Sequence, residues 1–188
     1  MTDKVELLTA LVPVAREAGE AIMAIHRRGV AAEYKGDGSP VTKADEAAEA
    51  IILASLKKLA PEIPVVSEEN AASHALAAPE TFFLVDPLDG TKEFLKADGK
   101  GAFTVNIALV EDGVPVMGIV FAPALNRMFT GDTETGARED GNEISIRKVP
   151  ESGAVAVASA SHRDEATNQW LSDHAIEQTV SIGSSLKF

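Results

Sequence analysis

The chain has 188 residues, 45% of them hydrophobic, which is enough to bury a core as a single domain. Its formal net charge of -12 disfavours non-specific binding to nucleic acid, and the absence of cysteine excludes disulfides and thiolate metal sites. No apolar run approaches the roughly 18 residues of a membrane-spanning helix, and residues 1–4 lead into a polar helix, so we expect neither a transmembrane segment nor a signal peptide.

Two amphipathic helices are predicted in the first third of the chain. Apolar residues keep helical spacing over residues 8–25. The segment 39–45, Ser-Pro-Val-Thr-Lys-Ala-Asp, contains a capping box, with Thr42 as N-cap and Asp45 at N3, and opens a second helix that ends before Pro61. Capping by itself accounts for Asp45, although it does not exclude a role at a metal site.

Two apolar strands end in carboxylates. The segment 64–70 reads Pro-Val-Val-Ser-Glu-Glu-Asn, and the apolar run 82–85 leads into Asp86 and Asp89. If adjacent strands end together, Glu68 meets both aspartates, and carboxylates converge readily only around cations. A solvated Glu-Glu loop is the simpler interpretation of the first segment.

The turn after the second strand is the most informative segment. Residues 84–94 read Leu-Val-Asp-Pro-Leu-Asp-Gly-Thr-Lys-Glu-Phe. We expect Pro87 to end the strand, because it has no N–H for the ladder. The two aspartates and the Leu88 carbonyl are suitable oxygen ligands for a hard cation such as Mg²⁺. Gly90 permits close approach of a ligand, and Thr91 begins a helix whose N–H groups favour phosphate. Asp-Pro and Asp-Gly pairs are also common in simple turns.

The second half predicts several strands and one helix. Residues 103–110 and 114–121 form a hairpin around a Glu-Asp-Gly turn. The other predicted elements are strands at 127–129 and 144–146 around a polar loop at 131–143, a buried strand at 154–158, a helix at 164–174 and a strand at 179–182. Mixed sheets that alternate with helices predict a layered α+β fold.

Taken in order, these motifs resemble the inositol monophosphatase superfamily of Mg²⁺-dependent, Li⁺-sensitive phosphatases. The resemblance rests on segments 39–45, 67–69 (Ser-Glu-Glu), 86–94, 103–109, 161–162 and 183–188. Within the superfamily the chain is most similar to bacterial enzymes that hydrolyse 3'(2'),5'-bisphosphate nucleotides. Inositol-specific members usually carry Asn-Phe or Asn-Tyr shortly after Asp-Gly-Thr, whereas this chain has Lys-Glu-Phe at 92–94.

The resemblance implies an αβαβα sandwich. We expect one phosphatase domain over residues 1–188, with a metal-binding portion at about 1–134 and an incomplete C-terminal α/β portion at about 135–188. Members continue past Ser-Ser-Leu-Lys-Phe through a Trp-Asp motif whose aspartate helps to hold a second metal, whereas the only tryptophan of this chain is Trp170. We therefore expect the polypeptide that ends at Phe188 to be nearly inactive alone.

The resemblance also implies two or three Mg²⁺ ions, with Li⁺ as an inhibitor. Glu68, Asp86 and the Leu88 carbonyl would hold the first ion, and Asp86 and Asp89 would contribute to the second. Thr91 and a further residue, Asp45, would orient and deprotonate the attacking water, which makes a phosphoenzyme unnecessary.

The residues implied for substrate binding are Glu68, Gly90, Thr91, Ser161, His162, Ser184 and Lys187. The backbone N–H groups of Gly90 and Thr91 would bind the phosphate that is cleaved. Lys187 and His162 would meet a second phosphate, which an inositol monophosphate lacks. Their simpler interpretations are a surface lysine and a loop histidine that caps Asp164.

The implied reaction is removal of the 3'-phosphate from adenosine 3',5'-bisphosphate by a metal-activated water, with the sulfated form of this nucleotide as an open further substrate. Inositol monophosphatase activity, fructose bisphosphatase activity and a non-catalytic cation- or nucleotide-binding role remain alternatives. We expect a small-molecule phosphonucleotide as partner and a cytoplasmic location. A homodimer and peripheral attachment to the cytoplasmic face of the inner membrane are left open.

Overall fold

The structure, a computed structural model, describes residues 3–29, 33–34, 40–75, 79–96, 101–159 and 163–187. The helices are α1 (Lys4–His26), α2 (Lys43–Leu59), α3 (Thr91–Leu95) and α4 (Glu165–Asp173), with 3-10 helices at Ala71–Ala75 and Ser184–Lys187. The strands are β1 (Glu33–Tyr34), β2 (Pro40–Val41), β3 (Val65–Ser67), β4 (Thr81–Asp89), β5 (Thr104–Glu111), β6 (Val114–Ala122), β7 (Arg127–Asp132), β8 (Gly136–Glu139), β9 (Asn142–Glu143), β10 (Val155–Ser159) and β11 (Gln178–Ile182). Within these ranges, no helix combines the length and the apolar character needed to cross a bilayer.

A seven-stranded sheet carries the helices α1 and α2 on one face. Its strand order is β3-β4-β5-β6-β7-β8-β9, and β3–β4 is the parallel pair in it. Alternate residues of the central strands, including Phe83, Val85 and Ile107, are buried in one core with Leu11 and Ile52 of the helices. This arrangement confirms the predicted α+β class, because one sheet face and one helix stripe bury each other.

The start of α2 follows the predicted capping box, whereas the cap of α1 is supplied by the structure. Asp3 caps α1 by accepting hydrogen bonds from the Val5 and Glu6 amides, at 2.9 and 3.3 Å. The capping box of Thr42 and Asp45 is present at the start of α2. Capping residues satisfy amides that have no partner within a helix, so both helix starts are locally encoded.

The hairpin of β5 and β6 also follows the prediction. Its two turn residues, Asp112 and Gly113, have φ values of 49° and 76°, while Glu111 pairs with Val114. Two successive positive φ values are typical of the type I′ turn that suits the twist of paired strands.

The region after this hairpin differs from the prediction. The polar segment 131–143, expected to be a loop, contains the end of β7 and the strands β8 and β9. Asp132 makes the tight turn possible, since its carboxylate accepts the amides of Glu134 and Thr135, both at 2.7 Å. The strand expected at 144–146 is absent, and Ile146 is 99% exposed.

The last described elements form a separate two-stranded sheet. Strands β10 and β11 are parallel, and α4 connects them with Asp164 as its N-cap. The strand predicted at 154–158 is present as β10, but the prediction that it is buried is wrong, because Ala158 is buried whereas Val157 is 43% exposed.

The face of the large sheet opposite α1 and α2 carries an apolar cavity of about 810 Å³. Leu84, Ala108, Val120 and Phe129 line it, and Leu84 is 48% exposed. The polar residues that line this cavity include Asp86, Asn106 and Ser185. Asp86 belongs to the segment 86–91, which we call the carboxylate turn.

We predict that Gly19→Ala destabilises the chain, because Gly19 of α1 lies against β6. A Cβ atom there would be 2.5 Å from Phe121 Cε1 and 3.0 Å from Pro123 Cβ. Overpacking costs about 1–3 kcal/mol, whereas alanine gains only about 1 kcal/mol in helix propensity. Urea unfolding should give a lower unfolding free energy for Gly19→Ala, while the exposed control Glu17→Ala should remain close to the unmodified chain. An unchanged value for Gly19→Ala would show that Phe121 moves freely.

Candidate active site

Strand β4 does not end at Pro87, contrary to the prediction. It continues to Asp89 through a bulge, since the register against β5 shifts between Asp86 and Asp89. Proline is tolerated in a sheet at such a bulge, where no ladder N–H is required. The proline therefore marks an irregularity within the strand rather than its end.

The bulge brings the two aspartates to the same face of the sheet. Residues three apart on a regular strand point to opposite faces. Here Asp86 pairs with Asn106 and Asp89 pairs with Thr104, and these partners are two residues apart on β5. The extra residue on β4 thus aligns both carboxylates with one face of its neighbour.

Glu68 joins the aspartates through the parallel pairing of β3 with β4. Ser67 is opposite Val85, and the Glu68 amide donates to the Val85 carbonyl at 3.0 Å. The side chain of Glu68 is hydrogen-bonded to that of Asp86. The predicted meeting of the two strand ends is confirmed at this point.

Asp86 is the electrostatically strained member of the group. Burial raises the pKa of Asp86 from 3.8 to about 8, together with the negative charges of Glu68 and Asp89. The Leu88 amide, which donates to Asp86 Oδ1 at 3.1 Å, lowers this pKa only in part. A positive charge beside these oxygens would relieve the repulsion.

Asp45, at the start of α2, is almost inaccessible to solvent, and Glu69 is the acidic residue whose charge acts on it. Asp45 is 1% exposed, and burial raises its pKa, with a smaller contribution from the charge of Glu69. Its Oδ2 atom accepts hydrogen bonds from the amide and the hydroxyl of Thr42, both at 2.8 Å. Its Oδ1 atom is buried and has no hydrogen-bond partner. Helix capping therefore uses Oδ2 of Asp45 and leaves Oδ1 without a hydrogen bond.

Gly90 forms a tight corner between β4 and α3. Its φ of +90° favours glycine, and a Cβ atom would lie 3.0 Å from the Ala102 carbonyl oxygen and 3.1 Å from Ser184 Cβ. The hydroxyl of Thr91, the first residue of α3, donates to the Leu88 carbonyl at 3.2 Å. The turn is thus held closely by its surroundings.

The segment 183–187 packs against this corner from far along the chain. Ser184 is buried beside Gly90, and Ser185 Oγ donates to Asp89 Oδ2 at 2.6 Å. Lys187 Nζ donates to the Ser184 carbonyl at 2.7 Å. Ser161 and His162, also predicted to bind substrate, lie outside the described residues.

The donor set is suitable for a hard divalent cation. Carboxylate and carbonyl oxygens are the ligands that Mg²⁺ prefers, and the buried, unpartnered Asp45 Oδ1 adds another such atom. Across the described ranges, however, no group of three or more acidic or histidine side chains is arranged to hold an ion. The residues fit the chemistry of Mg²⁺, and the side chains are not gathered into a closed cage.

Comparison with known proteins identifies the family. The family model described as the inositol monophosphatase family matches residues 3–187. The chain belongs to the inositol monophosphatase family. Its sequence is 43% identical over 186 residues to the 3'(2'),5'-bisphosphate nucleotidase CysQ of Salmonella typhimurium, covering 97% of this chain and 75% of that protein.

Solved structures of the family share the fold. A CysQ from Bacteroides thetaiotaomicron, a bacterial member of the inositol monophosphatase family, superposes with a TM-score of 0.74 at 31% identity, covering 97% of this chain and 74% of that one. A staphylococcal inositol monophosphatase in a LiCl-soaked inhibitory complex gives a TM-score of 0.81 at 18% identity, covering 98% and 69%. The second likeness concerns the fold alone.

The structure adds residues that the motif analysis of this family member did not assign to the site. Glu69 acts on Asp45, while Asn106 and Ser185 reach the carboxylate turn. Asn106 and Ser185 stand within motifs that carry the family resemblance. The register of β4 on β5 places Asn106 opposite Asp86, and a hydrogen bond places Ser185 at Asp89. Their spacing in the sequence contains no such signal.

We predict that Asp86→Asn stabilises the chain in EDTA. Because the folded-state pKa of Asp86 is about 8 and its ordinary value is 3.8, folding takes up a proton between these pH values. The unmodified chain should lose stability as the pH rises through this window. Asp86→Asn removes the charge and should raise the unfolding free energy by about 0.5–2 kcal/mol above pH ~8.

The measurement is urea unfolding across this pH range, with Asp112→Asn at the exposed hairpin turn as a control. The control should keep the pH slope of the unmodified chain. If Asp86→Asn keeps the same slope as well, the carboxylate repulsion assigned to Asp86 is incorrect.

Proposed function

We propose that this chain is a Mg²⁺-dependent phosphatase that removes the 3'-phosphate of adenosine 3',5'-bisphosphate, with the sulfated form of this nucleotide as a further substrate. The observation that carries the proposal is the bulge that aligns Asp86 with Asp89 beside Glu68. The bisphosphate nucleotidase named among the relatives supports the substrate class.

The proposed ligands of the cations are the carboxylates of Glu68, Asp86 and Asp89 and the carbonyl of Leu88. A bound Mg²⁺ lowers the pKa of water and stabilises charge on the phosphoryl oxygens. The net charge of the chain is -12, which disfavours binding of an anionic nucleotide. Bound cations would make the local electrostatic potential favourable for the phosphates. Li⁺ inhibition is proposed from membership of the family, whose Li⁺ sensitivity the sequence resemblance implies.

Two side chains are proposed to handle the proton of the attacking water. Asp45 Oδ2 is committed to Thr42, so Oδ1 is the atom that can accept a proton. The burial that raises the pKa of Asp45 makes this carboxylate a better base than an exposed one. The hydroxyl of Thr91 donates to the Leu88 carbonyl and can reorient toward the water. No covalent intermediate is needed.

The 3-10 helix Ser184–Lys187 is proposed to select the substrate. The backbone N–H groups of Gly90 and Thr91, at the tight turn that the +90° φ of Gly90 permits, are proposed to bind the phosphate that is cleaved. Ser184 packs on Gly90, and the ammonium group of Lys187 lies within the same short helix. This ammonium group is the candidate contact for the second phosphate, with Ser161 and His162 as further proposed contacts.

The function is tested on the full-length protein by phosphate release from adenosine 3',5'-bisphosphate and from inositol 1-phosphate, each with and without Mg²⁺ and Li⁺. We expect Mg²⁺-dependent, Li⁺-inhibited release mainly from the nucleotide. Preference for inositol 1-phosphate would instead support inositol monophosphatase activity, and no release from either would support a non-catalytic binding role.

We predict that Asp89→Asn in the complete enzyme removes most of this activity while the fold is retained. An amide oxygen can contact Mg²⁺ but does not neutralise its charge. Circular dichroism should match the unmodified protein, while phosphate release at saturating Mg²⁺ should fall. The exposed control Asp112→Asn should remain active. Unchanged turnover for Asp89→Asn would remove Asp89 from the proposed ligands.

We predict that Lys187→Ala weakens hydrolysis of the bisphosphate more than hydrolysis of a monophosphate. A charge-assisted contact is worth roughly 1.5–3 kcal/mol, so kcat/KM for the bisphosphate should fall about tenfold to hundredfold. Lys58→Ala, at an exposed position of α2, serves as the control. Equal losses on both substrates would assign Lys187 to folding or to general attraction.

A further inference from the structure

A relay of hydrogen bonds, formed by Asn106, Ser185 and Asp89, connects Asp89 to two residues that have no assigned role. Asn106 Nδ2 donates to Ser185 Oγ at 3.1 Å, and Ser185 Oγ donates to Asp89 Oδ2 at 2.6 Å. Ser185 is separated from Asp89 by 96 positions in the sequence. The contact therefore joins the distant segment 184–187 directly to the carboxylate turn.

The chemistry of the three groups fixes which of them donates each hydrogen bond of the relay. A side-chain amide nitrogen only donates, and an ionised carboxylate only accepts. The single proton of the Ser185 hydroxyl is therefore directed to Asp89, because its oxygen accepts from Asn106. A hydrogen bond to an ionised carboxylate is shorter and about twice as strong as a neutral one, in agreement with the 2.6 Å distance.

The orientation of Asn106 leaves an oxygen without a partner. Its Oδ1 atom is buried and has no hydrogen-bond partner. A flipped amide would present this oxygen to Ser185 and would compete with Asp89 for the hydroxyl proton. An unsatisfied buried acceptor destabilises the fold, so the bond to Ser185 is retained at the expense of stability. This pattern is typical of a functional site rather than of simple packing.

We propose that Asn106 and Ser185 are positioning residues that orient the Asp89 carboxylate for a divalent cation. Ser185 occupies Oδ2 and leaves Oδ1 as the oxygen available to the cation. Because Ser185 shares its 3-10 helix with Ser184 and Lys187, the same hydrogen bond couples the segment 184–187, proposed to bind substrate, to the carboxylate turn. The inference rests on the proposed metal role of Asp89 and not on the identity of the nucleotide.

The test is direct Mn²⁺ binding, measured by electron paramagnetic resonance on the full-length protein without substrate. Loss of an outer hydrogen-bond partner of a metal ligand typically weakens metal affinity about tenfold to hundredfold. We expect a loss of this size for Ser185→Ala, and recovery for Ser185→Thr, which keeps the hydroxyl. Ser181→Ala on β11, at an exposed serine, should bind Mn²⁺ like the unmodified protein.

Asn106 is tested through its dependence on Ser185. Asn106→Ala should weaken Mn²⁺ binding, but it should add little in the Ser185→Ala background, because residues of one relay are not additive. Fully additive losses would overturn the relay. Ser185→Ala with unchanged affinity, or a loss that Ser185→Thr does not recover, would also overturn it. If the unmodified protein binds no Mn²⁺, the proposed metal role of Asp89 fails together with this inference.

Discussion

The site depends on one extra residue in a β-strand. Without the bulge between Asp86 and Asp89, the alternation of side chains would send the two carboxylates to opposite faces of the sheet. With it, both align with one face of β5 next to Glu68. Pro87 fits there because a bulge does not need its N–H. The Asp-Pro-Leu-Asp segment thus forms a β-bulge that places two carboxylates on the same face of the sheet.

That placement is unfavourable for the folded chain by itself. Asp86 is half-buried beside like charges, and its partial burial, together with the repulsion from Glu68 and Asp89, raises the pKa of Asp86. The rest of the fold supplies the compensating stability, through a core in which α1 and α2 cover one face of the sheet. In the proposed cation site, the repulsion between the carboxylates lowers the stability of the cation-free chain. A bound cation would relieve this repulsion, which would increase its affinity for the site.

The second theme is closure of the site by residues distant in the sequence. Ser184 packs on Gly90 and Ser185 bonds to Asp89, so the short helix at 184–187 becomes a wall of the carboxylate turn. This contact is consistent with the proposed role of the segment 184–187, since a segment that selects the substrate would lie close to the reacting phosphate. Metal binding and substrate binding are then parts of a single hydrogen-bonded unit in the proposed enzyme.

The sequence by itself determined the features that short-range physics controls. The capping box of α2, the Asp112-Gly113 hairpin turn and the convergence of Glu68 with the aspartates follow from local residue chemistry and from strand adjacency. The tertiary structure decided what depends on register and long-range contact. It continued β4 through Pro87, placed strands in the polar segment 131–143, and brought Asn106 and Ser185 to Asp89. Register across a bulge and contacts between residues 96 positions apart are set by packing of the whole sheet, and no local pattern encodes them.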